Sequence, residues 1–578
     1  MKVKLAKTAG FCMGVKRAMN IVLDEANKKK GKLYTYGPIV HNPQAVEMLK
    51  QKGVEILGSH DVTNATVILR AHGVAPSERR KIKEAGNLLC DATCPHVARA
   101  HAIIKKEIKN GYNAVIIGDE GHAEVNGLLG YADEKGFVVE NLDDVMSLPD
   151  MNRACVIAQT TQDRNVFLQI VEEIKKKIPD TRVFDTICDS TSMRQKEVIE
   201  LAKEVDAMVI VGGKNSANTR RLYEISLSAG VPSFHIEEED ELDHLGLERY
   251  ENIGVMAGAS TPHWVISKVI DSIRNLIKKR QSSLYRFAIG ISDFFIESAL
   301  YLSIGAVSMC YASLVFQNIK PSATILSIVF LYVFATHIFN RYNEKLKDEF
   351  SDPARTRFFR DYGKALIITA TAASFVSLYL SYLLGTMPFV FLLFSYLMGI
   401  LYTIRIVPEK FYPLIKYKRL KDFPGSKDIF IALAWAWVIV LIPFLNQGAF
   451  VTYQSVTILG FVLFTVFVRS VVFDIVSIEG DRIVGRETIP ILIGRERTQT
   501  MLLVLSIIIG TFMFSSTAFK LIPTLSYYLI LSPAFMVICL YIFQKRKMRV
   551  SKFFEAVIDS SFIFTGIFTY LWQLAKDS

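Results

Sequence analysis

Cysteine is scarce in this chain: seven among 578 residues, without the close pairing of a disulfide framework. That excludes a disulfide-stapled secreted domain and places residues 1–280 in a reducing, cytoplasmic setting. No glycine-rich fingerprint of a flavin or nicotinamide site is evident, so electrons for any redox step come from outside the chain. The opening Met1-Lys2-Val3-Lys4-Leu5-Ala6 is too short and too polar to be a signal peptide. Acidic residues fall short of basic ones, leaving a net charge of +11. The excess lies mainly in loops between apolar segments, where basic residues serve as topology signals, so no nucleic-acid partner is expected.

What is present divides sharply. A chain of 578 residues is too long for one hydrophobic core. Up to about Arg280 apolar runs alternate with charged helical stretches, as in α/β proteins. From about Tyr285 long apolar segments follow one another, and they raise the mean hydropathy to +0.28. Lys278-Lys279-Arg280-Gln281-Ser282-Ser283 reads as a linker between a domain at 1–280 and another at 285–578.

Three cysteines stand in segments built for chemistry: Gly-Phe-Cys12-Met-Gly-Val-Lys, Asp-Ala-Thr-Cys94-Pro-His and Asp-Thr-Ile-Cys188-Asp-Ser-Thr. They lie 82 and 94 residues apart, too far for one local zinc loop. Three converging thiolates without a fourth suggest a metal cluster that keeps one iron free for substrate. Cys90, Cys155, Cys310 and Cys539 sit in apolar runs and read as small buried hydrophobes.

Strand-like runs recur at Thr66–Leu69, Ala114–Ile117, Cys155–Ala158, Met208–Val211 and Ile253–Met256. Several end in small or polar residues, and ligands of open α/β sheets gather beyond the carboxyl ends of strands. His41, His72 and His122 can donate to an anion there. Thr160, Ser216, Asn218 and Ser260 add hydroxyl or amide groups beside glycine-rich turns. A lone strand-end histidine is commonly a structural hydrogen bonder; the whole set suits a diphosphate. Glu124, two residues after His122, is the carboxylate placed to donate a proton if burial raises its pKa.

These motifs, with Gly-Lys-Asn-Ser216-Ala217-Asn218-Thr-Arg-Arg-Leu and Ala-Gly-Ala-Ser260-Thr-Pro, occur in an order that resembles the 4-hydroxy-3-methylbut-2-enyl diphosphate reductase (IspH/LytB) family over residues 1 to about 278. The resemblance implies a three-lobed α/β fold with one cysteine per lobe. Cys12, Cys94 and Cys188 would hold a 4Fe-4S cluster. His41, His72, His122, Ser216, Ala217, Asn218 and Ser260 would hold the diphosphate. Thr160 would order the alcohol end and Glu124 would supply protons. Two electrons, from a ferredoxin or flavodoxin, and two protons would remove the hydroxyl as water, giving isopentenyl and dimethylallyl diphosphates. Some members have serine where this chain has Ala217, which keeps only its backbone N–H.

The second half marks nine apolar segments, at about 287–315, 323–339, 365–385, 388–404, 429–445, 455–473, 500–518, 526–543 and 555–573. Each is near the roughly 20 residues of a spanning helix. The loops after the second and fourth carry seven Lys/Arg each, and those after the sixth and eighth are basic too. By the positive-inside rule these loops, and the first domain, face the cytoplasm at the inner membrane.

Two acidic motifs lie at cytoplasmic ends. Spacing of four puts Asn340, Glu344 and Asp348 on one helical face. The sixth segment ends in Asp474-Ile-Val-Ser-Ile-Glu479-Gly-Asp481-Arg482. Carboxylates at the end of an apolar helix are costly unless paired or bound to a cation, and two such clusters suit magnesium ions and a diphosphate. These motifs, with Lys421-Asp-Phe-Pro-Gly-Ser-Lys427 and the run to Pro490, resemble the UbiA family of membrane prenyltransferases over about 285–578. The resemblance implies magnesium bridging Asn340, Glu344, Asp348, Asp474 and Asp481 to a prenyl diphosphate, with Arg482 and Lys421 on phosphate and a lipophilic acceptor as the second substrate. Glu344 stands where aspartate is usual, and Ser477 where some members are acidic. The expectation is therefore a bifunctional isoprenoid enzyme. The alternatives are a reductase on a non-catalytic membrane anchor and a lipid or ion transporter.

Overall fold

The computed structural model describes residues 2–28, 31–58, 62–344, 349–350, 352–403, 420, 423–446, 452–545 and 552–577. The chain divides into two compact units, Met1–Gln281 and Ser282–Ser578.

The first unit holds three four-stranded parallel sheets. The strands are β1 Lys2–Leu5, β2 Leu33–Tyr36, β3 Val54–Ile56, β4 Thr66–Leu69, β5 Leu88–Asp91, β6 Asn113–Ile117, β7 Gly136–Val139, β8 Arg153–Ala158, β9 Asp180–Phe184, β10 Ala207–Val211, β11 Ser233–Ile236 and β12 Asn252–Ala257. The sheet orders are β3-β2-β4-β5, β7-β6-β8-β9 and, read from the other edge, β11-β10-β12-β1. These are one topology used three times. The third copy is closed by the strand that begins the chain.

Parallel strands buried on both faces need apolar residues on both. On β6, Val115 and Ile117 pack into one core while Ala114 and Ile116 pack into another, with Cys155 and Ile157 of β8. Cys155 is a core residue, as its apolar run predicts. Cys310 and Cys539 are also buried, whereas Cys90 on edge strand β5 is half-exposed.

The basic stretch at 278–283 spans the boundary between the two units. Residues 278–280 close the helix His263–Arg280, and Ser282 Oγ accepts the Tyr285 amide at 3.3 Å to cap the next helix. A serine at the cap position satisfies one of the helix's free first-turn donors.

The second unit is helical. Among the described residues, six helices are long and apolar enough to cross a membrane: Ala323–Asn343, Pro353–Leu384, Ser426–Leu445, Tyr453–Val476, Arg495–Ala518 and Lys552–Lys576. The pair Ser283–Glu297 and Leu300–Phe316, bent by 59°, makes a seventh if it is one span, and Thr386–Tyr402 and Ser526–Ile542 are shorter apolar helices. The break in the first apolar segment has a cause. Ala299 takes a left-handed φ of +60°, and Arg341 Nη1 donates to the carbonyls of Ile296 and Glu297 at 3.0 and 2.7 Å. Glu297, fully buried at the break, pairs with Arg355 at 2.9 Å, and Glu555 pairs with both Arg341 and Arg355. Arg469 adds a two-point pair with Asp559 at 2.6 and 3.1 Å. Charges inside an apolar bundle persist only when matched in this way.

Candidate active site

In each sheet of the first unit, the two central strands and one edge strand end at the site. β2 and β4 lead to His41 and His72, and edge strand β5 leads to Cys94. β6 and β8 lead to His122 and Thr160, and edge strand β9 leads to Cys188. β10 and β12 lead to Ser216 and Ser260, and edge strand β1 leads to Cys12. All nine residues line one cavity, together with Glu124, Ala217 and Asn218.

The cysteine loops are tied to their neighbouring central strands in the same way three times. The amides of Cys12, Cys94 and Cys188 donate to the carbonyls of Ala259, Ala71 and Thr160 at 3.1, 2.9 and 3.0 Å. Each cysteine then begins a helix: Met13–Lys28, Pro95–Lys109 and Asp189–Ala202. Helix N-termini favour negative charge, which stabilises thiolates. Burial pushes the Cys94 and Cys188 thiols up, and first-turn amides of their own helices pull them back. The Val15 amide donates to Cys12 Sγ at 3.4 Å.

The fit to an iron–sulfur cluster can be tested on distance. Four sulfurs around one zinc lie about 3.8 Å apart, from a bond of about 2.3 Å. Among the described residues, the three sulfurs form no group with all ligand atoms within 4.8 Å. They share a cavity yet stand too far apart for one ion, which suits a larger group. Space is kept for it: a Cβ on Gly14 would collide with Cys94 Sγ. The Gly14→Ala chain is expected to lose about 1–3 kcal/mol of fit and most of its iron, measured as iron per chain.

The anion side of the cavity carries three imidazoles whose centroids lie 4.9, 5.5 and 6.0 Å apart. Burial, and then the other imidazoles and Arg70, pushes His72 far down; burial first also lowers His41, and takes His122 to about 4. His41 Nε2, His72 Nδ1 and Asn218 Nδ2 are buried without a hydrogen-bond partner. Buried polar atoms are normally satisfied, so these three point to a missing ligand. Ser260 Oγ lies 3.4 Å from Ser216 Oγ and 3.3 Å from the His41 carbonyl. Ser216 caps the helix Ala217–Ser228, and the first-turn residues Ala217 and Asn218 line the cavity at a helix end suited to anions.

Opposite the helix Ala217–Ser228 in sequence, Thr160 and Glu124 form one unit. Thr160 N and Oγ1 donate to the two Glu124 carboxyl oxygens at 2.8 Å each. Glu124 is 1 % exposed, and burial raises its carboxyl to about 7.

In the second unit the helix Ala323–Asn343 has Glu344 as its C-cap, and Arg486 Nη1 donates to Glu344 Oε1 at 2.7 Å. Asn340 is exposed, and Asp348 and Lys421 lie outside the described residues. Asp474 and Asp481 are fully buried. Lys427 Nζ reaches Asp474 at 2.7 Å, Ser477 Oγ donates to Asp481 at 2.9 Å, and Arg486 lies 3.8 Å from Asp481. Arg482 is half-buried beside them.

Sequence reasoning missed Asp428, which is fully buried. Its Oδ1 accepts from Ser470 at 2.6 Å, while its Oδ2, like Asp474 Oδ2, has no partner. The signal was available: an acid in the first turn of an apolar helix, next to Lys427. Two half-buried cations, Lys427 and Arg486, with Arg482 beside them, face the carboxylates of Glu344, Asp428, Asp474 and Asp481.

A three-sheet α/β unit brings three cysteines together around a polar cavity suited to an anion. The pattern of the LytB protein family matches residues 3–274, and that of the UbiA prenyltransferase family matches residues 301–565. A 4-hydroxy-3-methylbut-2-enyl diphosphate reductase of Pelobacter propionicus is 44% identical over 280 residues, covering 48% of this chain and 100% of the relative. A solved (E)-4-hydroxy-3-methyl-but-2-enyl diphosphate reductase is 41% identical, covers 47% of this chain and 99% of its own, and has a TM-score of 0.40. A UbiA homolog from Archaeoglobus fulgidus, solved bound to DMAPP and Mg2+, is 17% identical, covers 48% and 98%, and has a TM-score of 0.35. The chain belongs to the LytB family and carries a UbiA-family domain behind its reductase domain.

Proposed function

We propose that the first unit reduces 4-hydroxy-3-methylbut-2-enyl diphosphate to isopentenyl and dimethylallyl diphosphate. The observation that carries this is the convergence of one cysteine from each sheet on the histidines, serines and Thr160–Glu124 pair of one cavity. Cys12, Cys94 and Cys188 would hold a 4Fe-4S cluster, which would supply low-potential electrons and a Lewis-acidic iron. His41, His72, His122, Ser216, Ser260, the Asn218 amide and the Ala217 N–H bind the diphosphate. Thr160 orients the hydroxyl end. Protonated Glu124 donates to Thr160 Oγ1, which passes its own proton toward the departing oxygen. The balance is two electrons and two protons in, one C–O bond broken, one C–H bond formed and water released. Anaerobic enzyme with a reduced viologen and the allylic diphosphate is expected to yield both five-carbon products. Recovery of unchanged substrate from an iron-loaded chain would sink the proposal.

The low imidazole pKa values carry a further expectation. An anion raises the pKa of His122 from about 4, so binding takes up protons and tightens as pH falls through the bound-state value. Calorimetric titration with inorganic diphosphate in two buffers of different ionisation enthalpy is expected to show net proton uptake at pH 7.

For the second unit, the proposal is a nine-span membrane domain that transfers a prenyl group from its diphosphate to a lipophilic acceptor. Asn340, Glu344, Asp348, Asp474 and Asp481 would hold magnesium. Departure of diphosphate activates the allylic carbon, and Lys427 and Arg486 can move from carboxylate to phosphate as it leaves. The first domain would then face the cytoplasm beside a ferredoxin or flavodoxin. The three fully buried carboxylates of Asp428, Asp474 and Asp481 favour this reading over a bare anchor.

A further inference from the structure

Arg194 is a buried cation without a carboxylate. It lies on the helix Asp189–Ala202 that Cys188 begins, and it is 4 % exposed. Its Nη2 donates to the Gly10 carbonyl at 2.7 Å, two residues before Cys12. Its Nη1 donates to the Ser190 carbonyl at 3.0 Å and to Ser190 Oγ. Its Nε is buried and meets no acceptor. Among the described residues, no carboxylate stands within ion-pair distance of it. Glu197, one turn onward, is committed to the Lys7 and Thr8 amides at 2.5 and 2.8 Å and to Thr8 Oγ1. The titratable groups that bear on the guanidinium are Cys12, Cys188 and Glu197.

Removing a guanidinium from water without a counter-charge is expensive, and proteins do not keep such a residue idle. Gly10 lies two residues before Cys12 and Ser190 two after Cys188, so the Arg194 hydrogen bonds join the segments of two cysteines assigned to the cluster. We infer that Arg194 is the fixed counter-charge of the cysteine-held cluster, a positioning residue that clamps the Cys12 loop to the Cys188 helix and raises the cluster's reduction potential. This rests on the proposed reductase reading.

The physical step is simple. The oxidised cluster accepts one electron from an external one-electron carrier and gains one negative charge; no bond breaks and no proton moves. A fixed positive charge nearby stabilises the reduced form more than the oxidised form. Potentials of such clusters respond to net charge and to hydrogen bonds to their sulfurs.

The test uses the full-length chain, purified and reconstituted anaerobically in detergent, as parent, Arg194→Gln, Arg194→Met and Arg194→Lys. Iron per chain is measured first, and then the midpoint potential by titration with dithionite followed by paramagnetic resonance. Gln and Met are expected to lose at least tenfold in the equilibrium constant for one-electron reduction, a shift of about 59 mV to lower potential. Lys, which keeps the charge, is expected to retain most of the parent value. A change under twofold in Gln or Met at full iron loading overturns the inference, as does Lys behaving like Gln. If Gln and Met lose their iron, recovery of iron and midpoint by Lys supports it. Loss of iron from all three variants shows a purely structural role and overturns it. A parent that binds no iron or sulfide sinks the underlying reading instead, so the two failures are separable.

Discussion

Glu124→Gln is expected to cut the rate of reductive dehydroxylation by about a hundred- to ten-thousand-fold, the usual worth of a positioned general acid, with iron content at the parent level. Glutamine preserves the size of the side chain and can still meet Thr160, but it cannot yield a proton. The carboxyl reaches the cavity through Thr160 Oγ1 at 2.8 Å, so Thr160→Val is expected to fall by a similar factor. The double variant is expected to be no slower than the worse single one, because the two act as a unit. Burial sets the pH dependence. With the carboxyl raised by burial to about 7, the parent rate is expected to decline as pH rises above 7. The Gln variant is expected to lose that limb. The stability sign is the same: the folded chain holds this proton more tightly than the unfolded one, so the group's contribution is largest below about 4.5 and is lost as pH rises through about 7. Single-turnover rates across pH 6–9, with iron measured for each variant, check all of this.

The second large effect belongs to the membrane unit. Asp474→Asn and Asp481→Asn are each expected to reduce prenyl transfer about a hundredfold or more, since a lost metal ligand forfeits several kcal/mol of charge stabilisation. Both carboxylates are fully buried, so exposure to bulk magnesium cannot compensate. Asp428→Asn is expected to weaken magnesium dependence in the same direction while leaving Lys427 and Asp474 paired. Reductase activity of the same preparations is expected to stay at the parent level. The assay is transfer of label from allylic diphosphates into extracted lipids, with magnesium varied. Unchanged transfer in the Asp474 and Asp481 variants, or none by the parent, would favour the bare-anchor alternative.

The parts of the fold that were legible in the sequence are those with a strong local signal. Five of the six central strands show as apolar runs, because strands buried on both faces have no polar side to interrupt them. β2 escaped notice because Leu33-Tyr34-Thr35-Tyr36 mixes polar and apolar residues. Edge strands such as β9, Asp180-Thr181-Arg182-Val183-Phe184, are half-exposed and carry charge, so they read as loops. The threefold reuse of one sheet order was invisible because its third copy is split between the two ends of the first unit. Of the site, the cysteine and histidine turns were legible as motifs. Arg194 and Asp428 were not, since an isolated charge in a helix reads as solvated until burial is known. In the membrane unit the partner of Glu344 was not legible, since Arg486 lies more than 140 residues away and no local pattern encodes such a pair.

The central claim is that Cys12, Cys94 and Cys188 hold one open iron–sulfur cluster. Its most direct test is iron and acid-labile sulfide per chain in anaerobically reconstituted protein, compared with Cys12→Ser, Cys94→Ser and Cys188→Ser. About four of each per chain, with loss in every serine variant and retention in Cys90→Ser, is the predicted result. Zinc without sulfide, or full iron and sulfide in any of the three serine variants, would contradict it.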